Sequence, residues 1–407
     1  MTRSLSRSLR LSIATFAVCQ LGLTATPTWA QTPVAPPAPP PAEAAPPAPT
    51  AMATPAMTGP LVANPAPYSI DAGPIGKVYI TGALSGFAMF QSDPTAVDHT
   101  SRLDLTNGHL IAQTTEGLVQ FYAQGGAYSF PTVGAPYITA GRTTGDFFGA
   151  FPVGYIKLAP TDEFSVIAGK LPTLIGAEYA FTFQNMNIER GLLWFQEPII
   201  SRGVQANYTM GPVALSVSLN DGLYSDRYNW ISGLATWTID KQNTLAVAAG
   251  GNTSTTTVAT LATPTAQNNS RIVNLIYTYN SAPWVITPYL QYTDVPANST
   301  LGFTSGASTY GAALLASYAF TDNISLAGRA EIIGSSGGAG AANLLGYGPG
   351  SAAWSLTLTP TYQQGIFFAR AEGSVVGISS VTAGSGFGRS GTSKTQGRFM
   401  VETGILF

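Results

Sequence analysis

Apolar and polar side chains alternate with a period of two along most of the chain. The segment WSLTLTPTYQ, residues 354–363, has Trp, Leu, Pro and Tyr at its even-numbered positions and Ser, Thr and Gln at its odd-numbered ones. Residues 213–220 and 284–293 follow the same pattern. Because successive side chains of a β-strand point to opposite faces, the pattern predicts strands with one apolar and one polar face. The chain is therefore predicted to be all-β.

Segments of this kind number about sixteen, and each has roughly 9–14 residues, enough for a tilted strand to cross a bilayer. The alternation is weakest in two of them, 150–160 and 162–170. The predicted spans are 77–90, 100–113, 116–129, 150–160, 162–170, 201–210, 211–220, 228–239, 243–252, 269–280, 283–294, 308–320, 322–333, 352–363, 364–377 and 395–407.

Short and long connections between the predicted strands alternate along the chain. Short ones, such as 211–212 and 240–242, alternate with long ones, such as 130–149 and 171–200. Outer-membrane barrels have this asymmetry, with short periplasmic turns and long outer loops. A soluble β-sandwich also alternates, but its connections would not sort by length and its surface would carry more charge. The sequence thus predicts a transmembrane antiparallel β-barrel of about sixteen strands, with both termini on the short-turn side.

Composition favours a membrane barrel over a soluble domain. Of the 407 residues, 45% are hydrophobic and 9% are charged, whereas soluble domains have roughly 25% charged residues. The net charge of −2 argues against nucleic acid as a partner. Apolar runs beyond the N-terminus are shorter than the roughly 18 residues of a membrane helix. Strands, rather than helices, are therefore expected to meet lipid.

The N-terminal region is predicted to lie outside the barrel. Residues 1–30 have the basic, apolar and small-residue regions of a signal peptide, with cleavage expected after Ala30. Cys19 falls in this region, and its context does not favour a lipidated N-terminus. Residues 31–75 are rich in Pro and Ala and are predicted to form a disordered periplasmic tether. Residues 76–407 would then form the barrel, in the outer membrane of a Gram-negative bacterium.

Charged residues on the polar faces are expected to point into the lumen, because a basic residue that faces lipid near the midplane costs about 2–4 kcal/mol. They occur in pairs of opposite sign. Mutual neutralisation in a packed interior and a water-filled channel with charged walls both fit such pairs, and the width of a barrel of about sixteen strands favours the channel. The predicted pore-lining residues are Arg102 and Asp104, Arg329 and Glu331, Arg370 and Glu372, and Arg398 and Glu402.

The connection 171–200 is the longest between strands and mixes aromatic with charged residues. Long structured loops are commonly functional. Two interpretations are open: the loop folds into the lumen and constricts it, or it caps the barrel from outside. The connection 130–149 is a second candidate. The constriction candidates are Glu178, Glu189, Arg190 and Glu197 in the first loop, and Arg142 and Asp146 in the second.

Catalytic and metal-binding patterns do not accompany the strands. The two histidines, His99 and His109, have no recognisable nucleophile motif beside them. Cysteine, histidine and carboxylate residues are not spaced as in metal sites. We therefore expect neither an enzyme nor a protein that needs a cofactor or a metal.

The region around the long loop resembles a known family. The runs GKLPTLIGAEYAF, NMNIERGLLW and EPIISRGVQANYTMGPVALSVSLNDG, within residues 165–225, are similar to the putative β-barrel porin-2 family of Gram-negative outer membranes. The resemblance implies an outer-membrane pore, and because porins are commonly trimers it is compatible with a homo-oligomer. The final residue, Phe407, resembles the C-terminal signal that outer-membrane proteins present to the barrel-assembly machinery.

The functional prediction is a porin embedded in outer-membrane lipid. It would form a water-filled channel for passive diffusion of ions and small hydrophilic solutes. The alternative is a binding or adhesion barrel with a blocked lumen, in which the outer loops carry the function.

Overall fold

A computed structural model of the chain describes residues 59, 61–64 and 66–407. Strands dominate this part, and its helices are short turns. The strands are β1 (Tyr68–Asp71), β2 (Lys77–Gln91), β3 (Ser101–Gln113), β4 (Val119–Tyr128), β5 (Val153–Leu158), β6 (Phe164–Pro172), β7 (Ile200–Met210), β8 (Val213–Asn220), β9 (Trp230–Thr238), β10 (Asn243–Asn252), β11 (Arg271–Ser281), β12 (Trp284–Val295), β13 (Ala307–Ala319), β14 (Ile324–Ser335), β15 (Ala352–Gln364), β16 (Phe367–Ser379) and β17 (Thr395–Leu406).

The helical turns lie in the connections. In the part of the chain that the structure describes, no helix has the length and hydropathy needed to cross a membrane. The α-helical turns are α1 (Ala140–Thr143) and α2 (Thr265–Asn268), the 3-10 turns are Gly73–Ile75, Thr182–Gln184, Trp194–Gln196 and Ser299–Leu301, and a π-helical turn spans Thr144–Phe148.

Strands β2 to β17 close into a sixteen-stranded antiparallel barrel, which confirms the predicted fold class. The closing pair is β17 with β2, in the register Phe399↔Phe90 and Leu406↔Ala83. Phe407 extends the seam, because its N–H donates to the Gly82 carbonyl at 3.0 Å. A closed barrel has no sheet edge, so each of β2 to β17 keeps a hydrogen-bonded neighbour on each side.

Side chains sort by face as the alternation predicts. In β15, Leu356 and Leu358 point outward and are 52% and 59% exposed. Thr357 and Thr359 point inward and are 2% and 0% exposed. Because the outer surface is apolar while the inner one is polar, the barrel suits an exterior of lipid and a lumen of polar groups.

Connection length alternates around the barrel, as predicted. β2 begins and β17 ends on the short-connection side. The short connections are 114–118, 159–163, 211–212, 239–242, 282–283, 320–323 and 365–366, and the long ones are 92–100, 129–152, 173–199, 221–229, 253–270, 296–306, 336–351 and 380–394.

Ordered contacts begin before the predicted start of the barrel at residue 76. The predicted signal peptide, 1–30, and most of the predicted tether lie outside the described residues. Within the tether range, β1 pairs with residues 77–80 of β2. Residue Val62 also bonds to the side chain of Gln363. The described residues at the end of the 31–75 range therefore form hydrogen bonds to the barrel.

Candidate channel interior

Residues 173–199, between β6 and β7, form a loop that crosses the lumen, and we call it the lumen loop. Its backbone amides donate to Asn274 of β11 at 3.2 Å and to Glu331 of β14 at 3.0 Å. One of its hydroxyls donates to Glu402 of β17 at 2.8 Å. These strands occupy separate arcs of the wall, so the loop lies across the barrel rather than over its outer rim.

Arg329 anchors the middle of the lumen loop to the wall. Its Nε donates to Glu331 on the same strand at 3.1 Å, and its Nη1 donates to Glu178 of the loop at 2.6 Å. The second Glu178 oxygen accepts from Gly191 N at 2.9 Å, and Glu331 also accepts from Leu193 N at 3.3 Å. All three charged groups are buried. Removing one partner of such a buried pair typically costs about 3–5 kcal/mol.

Arg398 connects the lumen loop to a second loop. Its Nη1 donates to the Glu189 carboxylate at 2.7 Å and to the Thr132 carbonyl at 2.6 Å. Its Nε donates to Gln91 at 2.8 Å, and the Ser374 hydroxyl donates to the other Glu189 oxygen. Since Thr132 belongs to the 129–152 connection, one guanidinium fixes both loops and β2.

Arg370 and Glu372, on β16, bind different parts of the lumen loop. Arg370 Nε donates to Glu402 of β17 at 3.0 Å, and Arg370 Nη1 donates to the Asn185 carbonyl at 2.9 Å. Glu372 accepts the backbone N–H of Glu189 at 2.8 Å. The wall therefore supplies charged donors and acceptors to a loop whose backbone groups would otherwise be unpaired.

The charge partners differ from those that the sequence spacing suggests. Arg370 lies directly opposite Glu402 in the strand pairing, so these two form the ion pair. Arg398 pairs with the loop carboxylate of Glu189 instead of with Glu402. Glu372 is left to accept loop amides. The wall charges face the lumen, yet the lumen loop covers them, so these side chains contact the loop rather than water.

Arg190 and Glu197 of the lumen loop are buried with incomplete hydrogen bonding. Arg190 Nη2 donates to the Ile188 carbonyl at 2.5 Å, while its Nε has no partner among the described residues. Glu197 accepts the Tyr289 hydroxyl, and its second oxygen has no partner in the same part of the chain. Burial raises the pKa of Glu197 to about 8, and the Tyr289 hydrogen bond only partly opposes it. Glu197 is therefore mainly uncharged at neutral pH.

The remaining predicted wall pair lies near the outer end of β3. Arg102 donates to Asp98 of the 92–100 connection at 3.4 Å. Asp104 accepts the Tyr137 hydroxyl at 2.9 Å. Burial alone would raise the pKa of Asp98, but its hydrogen bonds from Tyr137 N and other donors outweigh burial and lower it. These residues hold the 129–152 connection against the wall.

Arg142 and Asp146 form an ion pair with each other, 3.3 Å apart, on the helical turns of the 129–152 connection. Their side chains are 65% and 47% exposed. They are not part of the buried charge cluster around the lumen loop. An exposed pair of this kind contributes about 0–1 kcal/mol.

A cavity of about 550 Å³ opens on the short-turn side of the lumen loop. It is lined by residues of β4 to β8, by the end of β3, by the short connections 114–118 and 159–163, and by the first residues of the loop. Amide and hydroxyl groups line much of it, and the rings of Tyr122 and Tyr155 stack with centroids 5.4 Å apart. Its mouth carries Lys157, Asp162 and Glu163. The lining therefore mixes polar and apolar groups, and the cavity has room for water and small hydrophilic solutes.

A smaller cavity, of about 170 Å³, lies on the outer side of the lumen loop. Its walls include Leu192 and Phe195 of the loop, together with Tyr347 and Phe387 from two outer connections. The lumen loop thus contributes its first residues to the larger cavity and residues 192–196 to the smaller one. Any path through the barrel must pass beside it.

Neutral groups that the sequence did not predict also hold the loop. Tyr289 and Gln91 bind charged side chains, and the backbone N–H groups of residues 188, 189 and 191–193 bind carboxylates. The alternation in β12 does place Tyr289 with the inward Thr287 and Gln291, so its orientation was available from sequence. The backbone donors left no sequence signal.

Solved barrels share the fold at low sequence identity. The outer membrane channel DcaP of Acinetobacter baumannii superposes with a TM-score of 0.55 at 13% identity, over 84% of this chain and 100% of that one. Salmonella typhi OmpF, in complex with daunomycin, gives 0.55 at 10% identity over 84% and 100%. A loop L8 deletion mutant of OmpT, an outer membrane protein of Vibrio cholerae, gives 0.52 at 13% over 81% and 99%. These likenesses show the fold alone.

The sequence itself matches one family over the whole barrel. A comparison with curated proteins finds no match. Residues 77–407 match the family described as putative beta-barrel porin-2, OmpL-like, which spans β2 to the last residue. The chain therefore belongs to the putative β-barrel porin-2, OmpL-like family.

Proposed function

We propose that this porin is an outer-membrane channel through which ions and small hydrophilic solutes diffuse passively. The observation that carries the proposal is the cavity of about 550 Å³, with polar and charged side chains in its lining, inside a closed barrel whose exterior is apolar. Amide, hydroxyl and charged groups in its lining would give hydrated solutes a path into the barrel from the short-turn side. The chemistry is diffusion, so no catalytic group, cofactor or metal is invoked.

The lumen loop is proposed as the constriction. Solutes would enter from the cavity along β4 to β8 and pass the loop beside Thr173 and Leu174, where the cavity reaches it. The buried pairs of Arg329, Arg370 and Arg398 would fix the loop's position and so set the bore. In this proposal they act as anchors, and the candidate residues Glu178 and Glu189 act with them.

Location and partners follow from the same architecture. Family membership and fold point to the outer membrane of a Gram-negative bacterium. There the outward apolar side chains would contact lipid, and Phe407, at the closing seam, would present the C-terminal strand to the barrel-assembly machinery. Association with further copies of the chain is an expectation from the resemblance to other porins.

A barrel with a blocked lumen is the second candidate. It is favoured by the burial of Glu189, Arg329 and Arg370, which leaves little water around the middle of the lumen loop. In that case the outer connections would carry a binding or adhesion function.

Planar bilayers distinguish the two candidates. Purified barrel should produce stepwise conductance increments if the lumen conducts. A folded barrel that inserts and stays silent would reject the channel proposal and favour the blocked one. Reversal potentials under a salt gradient would then measure the ion preference of the conducting form.

A further inference from the structure

The described residues 59 and 61–64 form a segment, here called the N-terminal segment, that reaches the inner mouth of the barrel. Leu61 packs on a buried cluster of Ala83, Phe368 and Leu406. These three side chains belong to β2, β16 and β17 and point into the lumen, since their neighbours in sequence point outward. Leu61 is therefore on the lumen side of the wall.

Hydrogen bonds hold the N-terminal segment to the wall next to this cluster. Val62 N donates to Gln363 Oε1 at 2.8 Å, and Gln363 Nε2 donates to Val62 O at 2.8 Å. The side-chain amide thus satisfies both backbone groups of one residue, as a neighbouring strand would. Gln363 lies at the inner end of β15 and is buried. These two hydrogen bonds, here called the amide clamp, fix the position of the segment along the wall.

The N-terminal segment also touches the lumen loop. A Cβ on Gly59 would lie 3.0 Å from the Gln184 carbonyl oxygen, so only glycine fits this approach without a shift. Phe183, the neighbour of Gln184, packs against the same wall cluster as Leu61. The segment therefore lies beneath the loop, between it and the inner mouth.

We propose that the N-terminal segment is an intramolecular stopper. It occupies the inner mouth along β15, β16, β17 and β2 and closes that side of the lumen. The cavity along β4 to β8 lies on a separate arc and stays accessible. The site is thus a docking site for the chain's own peptide, built from an apolar pocket for Leu61 and the Gln363 clamp for Val62.

Single-channel recording tests the proposal on full-length protein and matched variants. Deletion of 31–63 removes the stopper, whereas deletion of 31–56 shortens the preceding chain and keeps it. Gln363→Ala removes the clamp, and Gln364→Ala alters the next glutamine, whose side chain faces outward and accepts from Tyr362 at 2.9 Å. Folding of each variant is checked by its heat-dependent mobility on gels.

We expect the 31–63 deletion to give larger conductance steps than full-length protein, while the 31–56 deletion leaves them unchanged. A channel should show a smaller conductance with the segment docked and a larger one with it released. Q363A should lower the ratio of time at the smaller conductance to time at the larger one by about tenfold, equivalent to about 1.4 kcal/mol for the lost hydrogen bonds. Q364A should leave that ratio unchanged.

Two results would overturn the stopper. The first is a folded 31–63 deletion with the same steps as full-length protein, including the case in which both are silent. The second is an equal effect of the 31–56 deletion, because the loss would then come from the preceding chain. Q363A keeps the test valid if the long deletion fails to fold, since a Q363A trace identical to that of Q364A would also reject the clamp.

Discussion

Glu197 illustrates how burial determines the state of a single residue in this lumen. It is a loop carboxyl with one hydrogen bond, from Tyr289, and its other oxygen has no partner among the described residues. A buried carboxylate with so few donors is less stable than the neutral acid. The loop therefore docks more readily with Glu197 protonated.

Glu197→Gln should stabilise the barrel at pH 8 and have little effect at pH 4.5. Burial raises the folded-state pKa from 4.5 to about 8, so the native state takes up a proton between these values. Wild-type stability should then fall as pH rises through this window, by at most about 1.4 kcal/mol per pH unit from this group. The variant should lack that slope. Thermal unfolding midpoints at a series of pH values measure it, and parallel curves for both proteins would contradict it.

Arg398→Ala should destabilise the barrel by about 3–5 kcal/mol, because it leaves the Glu189 carboxylate buried without its cation. The matched control is Arg142→Ala, which breaks the exposed pair with Asp146 and should cost about 0–1 kcal/mol. Denaturant unfolding of folded protein in detergent gives both values. Equal losses would show that the buried pair does not anchor the loop.

At the scale of elements, strands could be predicted from sequence and the path of the loop could not. The span 243–252 coincides with β10, because alternation is a local property that two faces impose directly. The lumen loop is held by pairs such as Glu178 with Arg329, which are 151 positions apart, and local pattern carries no information on such pairing. Its charged residues indicated a functional loop, but they did not decide whether the loop lies inside the lumen or caps the barrel from outside. The N-terminal segment was missed because Pro and Ala dominate its surroundings.

The β17–β2 seam depends on a close approach at Gly82. A Cβ there would lie 2.6 Å from the His109 carbonyl oxygen and 2.4 Å from the Phe407 ring. Gly82→Ala should therefore destabilise the closed barrel by about 1–3 kcal/mol through overpacking. The matched control is Gly373→Ala in β16, where no atom lies within 4 Å. The folded fraction on gels compares the two variants. A G82A barrel as stable as the G373A barrel would contradict the prediction, because the seam would then accommodate the added Cβ.

At the scale of the whole molecule, most lumen charge is neutralised where it is buried. Each of Arg329, Arg370 and Arg398 has a carboxylate partner. Paired charges produce little net field, so they are poorly placed to select ions. The charges that border the open cavity are more accessible to passing ions than these buried pairs.

Ion preference should therefore arise at the mouth of the cavity along β4 to β8. Lys157, Asp162 and Glu163 line it, so the carboxylates exceed the ammonium by one charge and favour cations weakly. Asp162→Asn with Glu163→Gln leaves only Lys157 and should shift the reversal potential in a salt gradient toward the anion side. The shift should be larger at 0.01 M than at 1 M salt, because the Debye length falls from about 30 Å to about 3 Å. Asp240→Asn, in the exposed 239–242 turn and outside the lining of this cavity, is the control. A double variant that selects ions like D240N would place the conducting path elsewhere in the lumen.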